Sequence, residues 1–386
     1  MPHSKTILPV ILAGGSGQRL WPVSLPHRPK PFVGLLPDQP TLFQQALARA
    51  HAIARAAKPL IVCAKSHGDI VQSQLGPSAV SILLEPEPRD TAPAICAAAL
   101  WAVRLHGPDC TLAIMPADHH IGDHPQFIDD IDTAVAAAVM GHVVTLAIPP
   151  TRAATEFGYM QLPASSAEGF CEVDAFIEKP IQDKAEKLLH DGNNFWNAGM
   201  FIARADALIA AFEAFELDSL QAVAKALPTG EWEAIVSLAQ QAFGAARKTS
   251  FDYAIMERLA HVRAVKARFS WRDLGTWAAL HEVHIKTPDG VACLGPVTCT
   301  SCANVYVRSN DVPLTVDNCR DAVIVADNGF VLALRLSAAS HLRGLDKGRR
   351  FGILPGETGR IELAWCGGTA CIWNNGISEL VVVQHD

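Results

Sequence analysis

Nowhere in these 386 residues does an apolar run approach the roughly 20 residues that cross a bilayer. The nearest approach, Thr91 to Leu105, carries Pro93 and ends against Arg104 and His106. A basic excess is also missing: 32 Lys and Arg stand against 39 Asp and Glu, for a net charge of −7, and no basic stripe offsets it. Nucleic acid and membrane are therefore not the expected partners, and any anionic ligand must be met by local positive charge. Charged residues are only 18% and hydrophobic ones 49%, which excludes wholesale disorder and provides for a large core. The ten cysteines are scattered rather than crowded into a short secreted framework, so reduced thiols in a cytoplasmic protein are expected. Lys5 and the run Ile7 to Ala13 mimic a signal peptide faintly, but the run flows straight into a glycine loop that cleavage would destroy. Low-complexity segments and long charge runs are absent.

What is present is alternation. Short continuous apolar runs (Ile7 to Leu12, Leu60 to Ala64, Val80 to Leu84, Thr111 to Met115, Val143 to Ile148) read as buried strands. Helical stretches separate them, among them Leu42 to Ala57 and a helix ending near Arg104, capped by Asp90 or Thr91 with Pro93 in its first turn. Such βα alternation predicts an α/β fold, Rossmann-like, with a mostly parallel mixed sheet covered on both faces. After about residue 286 the texture changes to short β pieces, Ala303 to Arg308, Ala322 to Ala326, Phe330 to Leu334 and Leu380 to Val383. The expected division is a catalytic domain over 1–285 and a small β-rich domain over 286–386, a coiled arrangement of the left-handed β-helix kind.

The loop Leu12-Ala13-Gly14-Gly15-Ser16-Gly17-Gln18-Arg19-Leu20 leaves the first strand. Glycines let backbone N–H groups approach an anion closely. No Gly-Lys-Ser/Thr follows, so it is not a P-loop, and Leu20 stands where a dinucleotide fingerprint needs its third glycine. By itself the loop reads equally as a tight strand-to-helix turn. Arg19, Arg28 and Lys30, the last two within Arg28-Pro29-Lys30-Pro31-Phe32, place three cations beside it in an acidic chain.

This combined pattern resembles the nucleotidyltransferases that make nucleotide-sugars. The resemblance implies that Leu12, Ala13, Gly14, Gly15, Gly17 and Arg19 hold a triphosphate and that Lys30 lies over its α-phosphate. The block Glu85-Pro86-Glu87-Pro88-Arg89-Asp90-Thr91 is similar to one in the mannose-1-phosphate guanylyltransferase branch, where it lies against the nucleotide. That adds Glu85, Arg89, Asp90 and Thr91 to the nucleotide side; the branch more often has Asn at position 90. Asp118, in Pro116-Ala117-Asp118-His119-His120, follows a strand, where α/β folds place ligand chemistry; its other reading is a helix cap. The resemblance makes it a magnesium ligand, with Asp273 of Trp271-Arg272-Asp273-Leu274-Gly275 as the second. His119 and His120 read as structural, because Mg²⁺ prefers oxygen and no second His cluster matches for zinc.

Glu156-Phe157-Gly158-Tyr159, Phe176-Ile177-Glu178-Lys179-Pro180 and Phe195-Trp196-Asn197-Ala198-Gly199 resemble the sugar-side motifs of the same family, with Glu156 replacing the branch's usual glycine. Gly158 permits close approach to a pyranose, Glu178 and Asn197 bond its hydroxyls, and Lys179 pairs with the sugar phosphate. Asp252 and Glu257 read as structural, and Trp271 and Trp277 as core.

The implied reaction is displacement at phosphorus: the phosphate of a hexose 1-phosphate attacks the α-phosphorus of a nucleoside triphosphate and pyrophosphate leaves. Arg19, Lys30 and Asp118 are the catalytic candidates, Mg²⁺ the cofactor, and GTP with mannose 1-phosphate the implied pair. Another base or sugar, such as glucose 1-phosphate with UTP or dTTP, is the alternative. A homo-oligomer, a dimer first, is expected. The tail has no His-x-His cluster, so the isomerase activity of bifunctional relatives is not expected. Cys299-Thr300-Ser301-Cys302, with Cys293 and Cys319 nearby, has no second CxxC; small buried thiols are the expected reading over zinc or redox use.

Overall fold

Seven consecutive apolar residues, Ile7–Ala13, form strand β1 and leave no polar face, as a strand covered on both sides requires. The computed structural model describes residues 6–15, 18–163, 169–310, 313–328 and 330–339, then the strand backbone at 349–352, 358–365, 368–375 and 379–382. Two compact units emerge: Met1–Gly14 with Phe43–Trp271, and Gly15–Leu42 with Arg272–Asp386. Packing thus draws a different line from the texture change near residue 285.

The first unit alternates strands and helices. After β1 come α1 (Leu42–Ile53), β2 (Leu60–Ala64), α2 (Gly68–Gln74), β3 (Ser81–Glu85), α3 (Thr91–His106), β4 (Thr111–Pro116), β5 (His119–Ile121), α4 (His124–Val139) and β6 (Val143–Ile148). Then follow β7 (Tyr159–Gln161), β8 (Phe170–Glu172), β9 (Ala175–Ile177), α5 (Gln182–His190), β10 (Asn194–Arg204), α6 (Ala205–Phe215), α7 (Leu217–Ala226), β11 (Ile235–Ser237), α8 (Gln240–Phe243) and β12 (Val262–Lys266). The expected mixed sheet is there, in the order β11-β3-β2-β1-β4-β10-β6-β12-β8. From β11 to β4 every pairing is parallel. The long strand β10 then enters antiparallel to both β4 and β6, and β7 and β9 extend from it.

Helix α3 shows how sequence sets a boundary. Asp90 is its N-cap at φ +66, its carboxylate accepting from the Thr91 amide at 2.8 Å, and Gly107 ends it at φ +91, a conformation costly for any other residue. Ile95 and Trp101 of α3, Phe212 of α6 and Val223 of α7 share one core with Leu8, Val10, Leu112 and Ile114. Each such side chain, fully buried, contributes roughly 1.5–3 kcal/mol.

The second unit holds most of β13 (Trp271–Asp273), then α9 (Trp277–Val283) and the strands β14 (Ala292–Leu294), β15 (Val297–Thr300), β16 (Ala303–Ser309), β17 (Leu314–Asp317), β18 (Arg320–Asp327) and β19 (Phe330–Arg335). Beyond them lie β20 (Arg349–Gly352), β21 (Thr358–Trp365), β22 (Gly368–Asn375) and β23 (Glu379–Val382). Successive strands alternate between two sheets, β14, β16 and β18 parallel in one and β15 and β17 parallel in the other. The chain therefore coils, as its β-rich texture suggested. Residues from the segment after the glycine loop enter this core. Leu20, Val23, Val33 and Leu35 pack with Trp277, Tyr306 and Val325, and the Trp277 indole donates to the Trp21 carbonyl at 3.2 Å. That shared core is why Gly15–Leu42 belongs to the second unit. Among the described residues no helix is long and apolar enough to cross a membrane.

Candidate active site

Register fixes the first part of the site. Ala13 pairs with Cys63, Cys63 with Leu84, Ala64 with Glu85, and Leu12 with Pro116, so the carboxyl ends of β1 to β4 lie along one edge of the sheet. Leu12, Ala13, Gly14, the Glu85–Thr91 loop and Asp118 all follow from that edge, the crevice position where α/β sheets bind ligands. The Ala117 amide donates to the Leu12 carbonyl at 3.0 Å and ties the Asp118 turn to the start of the glycine loop.

Within the Glu85–Thr91 loop the side chains have distinct surroundings. Glu85 is buried, and its Oε1 has no hydrogen-bond partner among the described residues. Burial, helped by the nearby Asp90 charge, pushes its carboxyl up to about 8. Arg89 is turned inward, to Glu87 and to the Ala246 carbonyl at 3.1 Å. Thr91 Oγ1 accepts from the Phe251 amide at 2.9 Å. Arg89, Asp90 and Thr91 therefore brace this loop.

Asp118 is partly exposed, with His119 Nε2 3.9 Å from its Oδ1. The Trp271 indole donates to His119 Nδ1 at 3.1 Å, which leaves the ring proton on Nε2, the nitrogen facing Asp118. His120 Nδ1 lies 3.3 Å from Gln45 Oε1. Both histidines are built into the protein framework.

A second group forms around the antiparallel strand. The register of β10 against β6 shifts between Asn197 and Phe201, and Gly199 supplies φ +62 there. Such a bulge re-aims side chains. The Asn197 Oδ1 accepts from Thr145 Oγ1 at 2.9 Å and from the Gly199 amide at 3.1 Å, while its Nδ2 donates to Asp252 at 2.7 Å. Its backbone amide donates to the Gly158 carbonyl at 2.8 Å. A Cβ on Gly158 would come within 2.5 Å of Glu178 Oε2, so this glycine is required by close approach. Lys179, at φ +43, donates to Glu178 at 2.5 Å; Glu178 is buried and Lys179 about half exposed. Burial pulls the Lys179 ammonium down, but its bond to Glu178 and the charges of Glu178 and Asp252 outweigh that and hold it above its ordinary value. The structure thus brings Gly158, Glu178, Lys179 and Asn197 together.

Asp252, expected to be structural, lies against this group and accepts from Asn197 Nδ2. It lies in a π-helical turn, Asp252–Met256, a form often found at functional sites. Burial and the Glu178 charge raise its carboxyl to about 7, against the lowering pull of Lys179 and the Asn197 bond. No spacing signal could reveal it, because Asn197 is 55 residues away.

The other predicted groups are on the second unit. Lys30 is buried, and its Nζ stands 2.6 Å from Asp273 Oδ1. A Cβ on Gly275 would sit 3.1 Å from Arg19 Nη2 and from both Asp273 oxygens, so Arg19 and Asp273 flank one glycine. Gly15, at φ +93, begins this unit, and Gly17 lies outside the described residues. Arg28, the third cation, is directed to Asp327 at 3.5 Å and to the Val23 carbonyl.

The two carboxylates read as metal ligands, Asp118 and Asp273, sit one on each unit and are partly open to solvent. Among the described residues no group of three or more His, Cys, Asp or Glu could hold an ion. One or two carboxylates, completed by substrate phosphates and water, suit Mg²⁺.

A parallel strand edge that carries the start of a glycine loop and, just beyond β4, the partly exposed carboxylate of Asp118 is the ligand-binding edge of an α/β fold. The model of the family described as Nucleotidyl transferase matches residues 8–290, and the chain belongs to that family. It is 35% identical over 345 residues to a mannose-1-phosphate guanylyltransferase of Sinorhizobium fredii, covering 88% of this chain and 67% of that one. It is 36% identical over 325 residues to the alginate biosynthesis protein AlgA of Pseudomonas aeruginosa, covering 83% and 67%. Among solved structures, one described as a mannose-1-phosphate geranyltransferase from Thermus thermophilus superposes with a TM-score of 0.77 at 27% identity, over 87% of this chain and 96% of that one.

Proposed function

We propose that the chain transfers GMP from GTP to α-D-mannose 1-phosphate, releasing pyrophosphate and giving GDP-mannose. The observation that carries this reading is its similarity, over more than four-fifths of its length, to relatives named mannose-1-phosphate guanylyltransferase. The family match at 8–290 supports a catalytic domain over 1–285 with the β-rich region 286–386 appended. Relatives named for alginate and xanthan biosynthesis support a role in supplying polysaccharide assembly, and the eight unpaired cysteines among the described residues fit a cytoplasmic protein.

The attacking sugar phosphate is already an anion, so no protein nucleophile is required. The difficulty is to hold two polyanions together and to offset charge on the transferring phosphoryl group. Gly14, Gly15 and Gly17 offer backbone N–H groups to the triphosphate, with Arg19 and Lys30 as its cations. Glu85, Arg89, Asp90 and Thr91 form or brace the wall against the nucleoside. Gly158, Glu178 and Asn197 take the mannose ring, with Lys179 at its phosphate; Glu178 also restrains Lys179 through their ion pair. Asp118 and Asp273 would hold Mg²⁺, which when bound neutralises phosphate charge and orients the α-phosphate. Asp273 also holds the Lys30 ammonium in place through their 2.6 Å ion pair.

A pyrophosphate-release assay over a matrix of nucleoside triphosphates and sugar 1-phosphates with Mg²⁺ tests the proposal. GTP with mannose 1-phosphate should give the highest kcat/KM. Release with a different best pair moves the substrate assignment, and no release with any pair overturns the enzyme reading.

A further inference from the structure

The coil beginning at β14 holds chemistry that the transfer reaction does not use. Cys293 on β14 and Cys299 on β15 face each other across a short turn, their sulfurs 3.1 Å apart. That is about 1 Å beyond the ~2.05 Å of a disulfide bond. Cys293 is exposed and Cys299 half-buried, which departs from the buried thiols expected of this group. The other two cysteines behave differently. Cys302 is buried with its thiol within reach of the Thr300 carbonyl at 3.2 Å and the Val316 carbonyl at 3.6 Å, and Cys319 is fully buried. The CxxC spacing is therefore misleading: the facing pair is Cys293 with Cys299, and Cys302 points into the coil.

The turn that joins the pair has a specific geometry. Gly295 has φ +77, and a Cβ there would come 1.9 Å from the Ser309 carbonyl oxygen, so only glycine fits. The Val297 amide donates to the Gly295 carbonyl at 2.8 Å. This turn brings the two sulfurs within about 1 Å of bonding distance.

We propose that Cys293 and Cys299 are a reversible dithiol–disulfide site on the first coil of the β-rich region, oxidised by a low-molecular-weight disulfide. The Cys293 thiolate attacks one sulfur of the reagent, forming a mixed disulfide and expelling one thiolate. The Cys299 thiol then loses its proton to water and attacks Cys293 Sγ, expelling the second. The two cysteine sulfurs are oxidised, and the reagent is reduced to two thiols. Attack by Cys293 is favoured by exposure and by its neighbour: the Cys299 thiol bonds to it and holds it below the ordinary thiol range, while Cys299 is raised.

The site is tested on the full chain incubated with oxidised glutathione, then denatured in iodoacetamide and digested with trypsin. The peptide 287–308 carries Cys293, Cys299 and Cys302 and no other cysteine. The expected product carries a single label, on Cys302, with a mass about 2 Da below the reduced peptide before labelling is counted, and dithiothreitol returns all three labels. In C293S the same peptide should carry no internal disulfide. Three labels after oxidation, stable glutathione adducts on Cys293 alone, or a bond between Cys299 and Cys302 would each overturn the proposal.

Discussion

Lys30 and Asp273, 243 residues apart in sequence, meet at 2.6 Å, with the ammonium buried and the carboxylate partly open. For the proposed transfer, a cation so fixed would be preorganised for charge that develops only in the transition state. Lys30→Ala should therefore reduce kcat roughly 100- to 1,000-fold, with far smaller changes in either KM. Steady-state kinetics on the purified variant decides the point. Turnover close to wild type would remove Lys30 from the catalytic set.

Glu85 carries a stability consequence. Its carboxyl is raised in the folded protein to about 8, by burial first and Asp90 second. A raised carboxyl binds its proton more tightly folded than unfolded. The stability this contributes is whole below the unfolded value near 4 and is lost as pH rises towards 8. Denaturant melts of wild type should weaken by a few kcal/mol, in order of magnitude, between pH 4 and pH 8 through this group. Glu85→Gln, which cannot ionise, should show a smaller loss over the same range. Parallel pH profiles for the two proteins would contradict the assignment.

Gly158 tests the sugar side. An added methyl meets Glu178 Oε2 at 2.5 Å and the Phe176 ring at 3.3 Å, so Glu178 must swing from its place beside Lys179. Gly158→Ala should raise the KM for mannose 1-phosphate by about 10-fold, the value of one displaced hydrogen-bonding group, and leave the KM for GTP nearly unchanged. An equal rise in both constants would point instead to general damage.

Much of this was legible in the chain. The strands at 60–64 and 143–148 fall where continuous apolar runs put them, because a strand buried on both faces writes itself as uninterrupted hydrophobicity. The Asp90 cap and the grouping of Gly158, Glu178, Lys179 and Asn197 were also readable, the first from local chemistry and the second from motif resemblance. Two features were not. Asp252 joins Asn197 through a contact that no periodicity encodes. Leu20, Val23, Val33 and Leu35 join the β-rich core because apolar residues in an irregular segment show hydrophobicity but not the partner that buries it.

That shared core gives the last prediction. Trp277 is fully buried, its indole nitrogen bonded to the Trp21 carbonyl and its ring 5.7 Å from that of Tyr306. Removing it leaves a large cavity and an unpaired carbonyl where the segment after the glycine loop meets α9. Trp277→Ala should cost about 3–5 kcal/mol. Trp277→Phe keeps most of the volume but loses the donor, and should cost about 1–3 kcal/mol for the carbonyl left unpaired. Because Arg19 and Lys30 lie on the same unit as this core, the Ala variant should also lose kcat at temperatures where it remains folded, and the Phe variant much less. Urea melts give the stabilities, and assays well below each midpoint give the rates. An Ala variant as stable as wild type would show that the segment 15–42 does not depend on this packing.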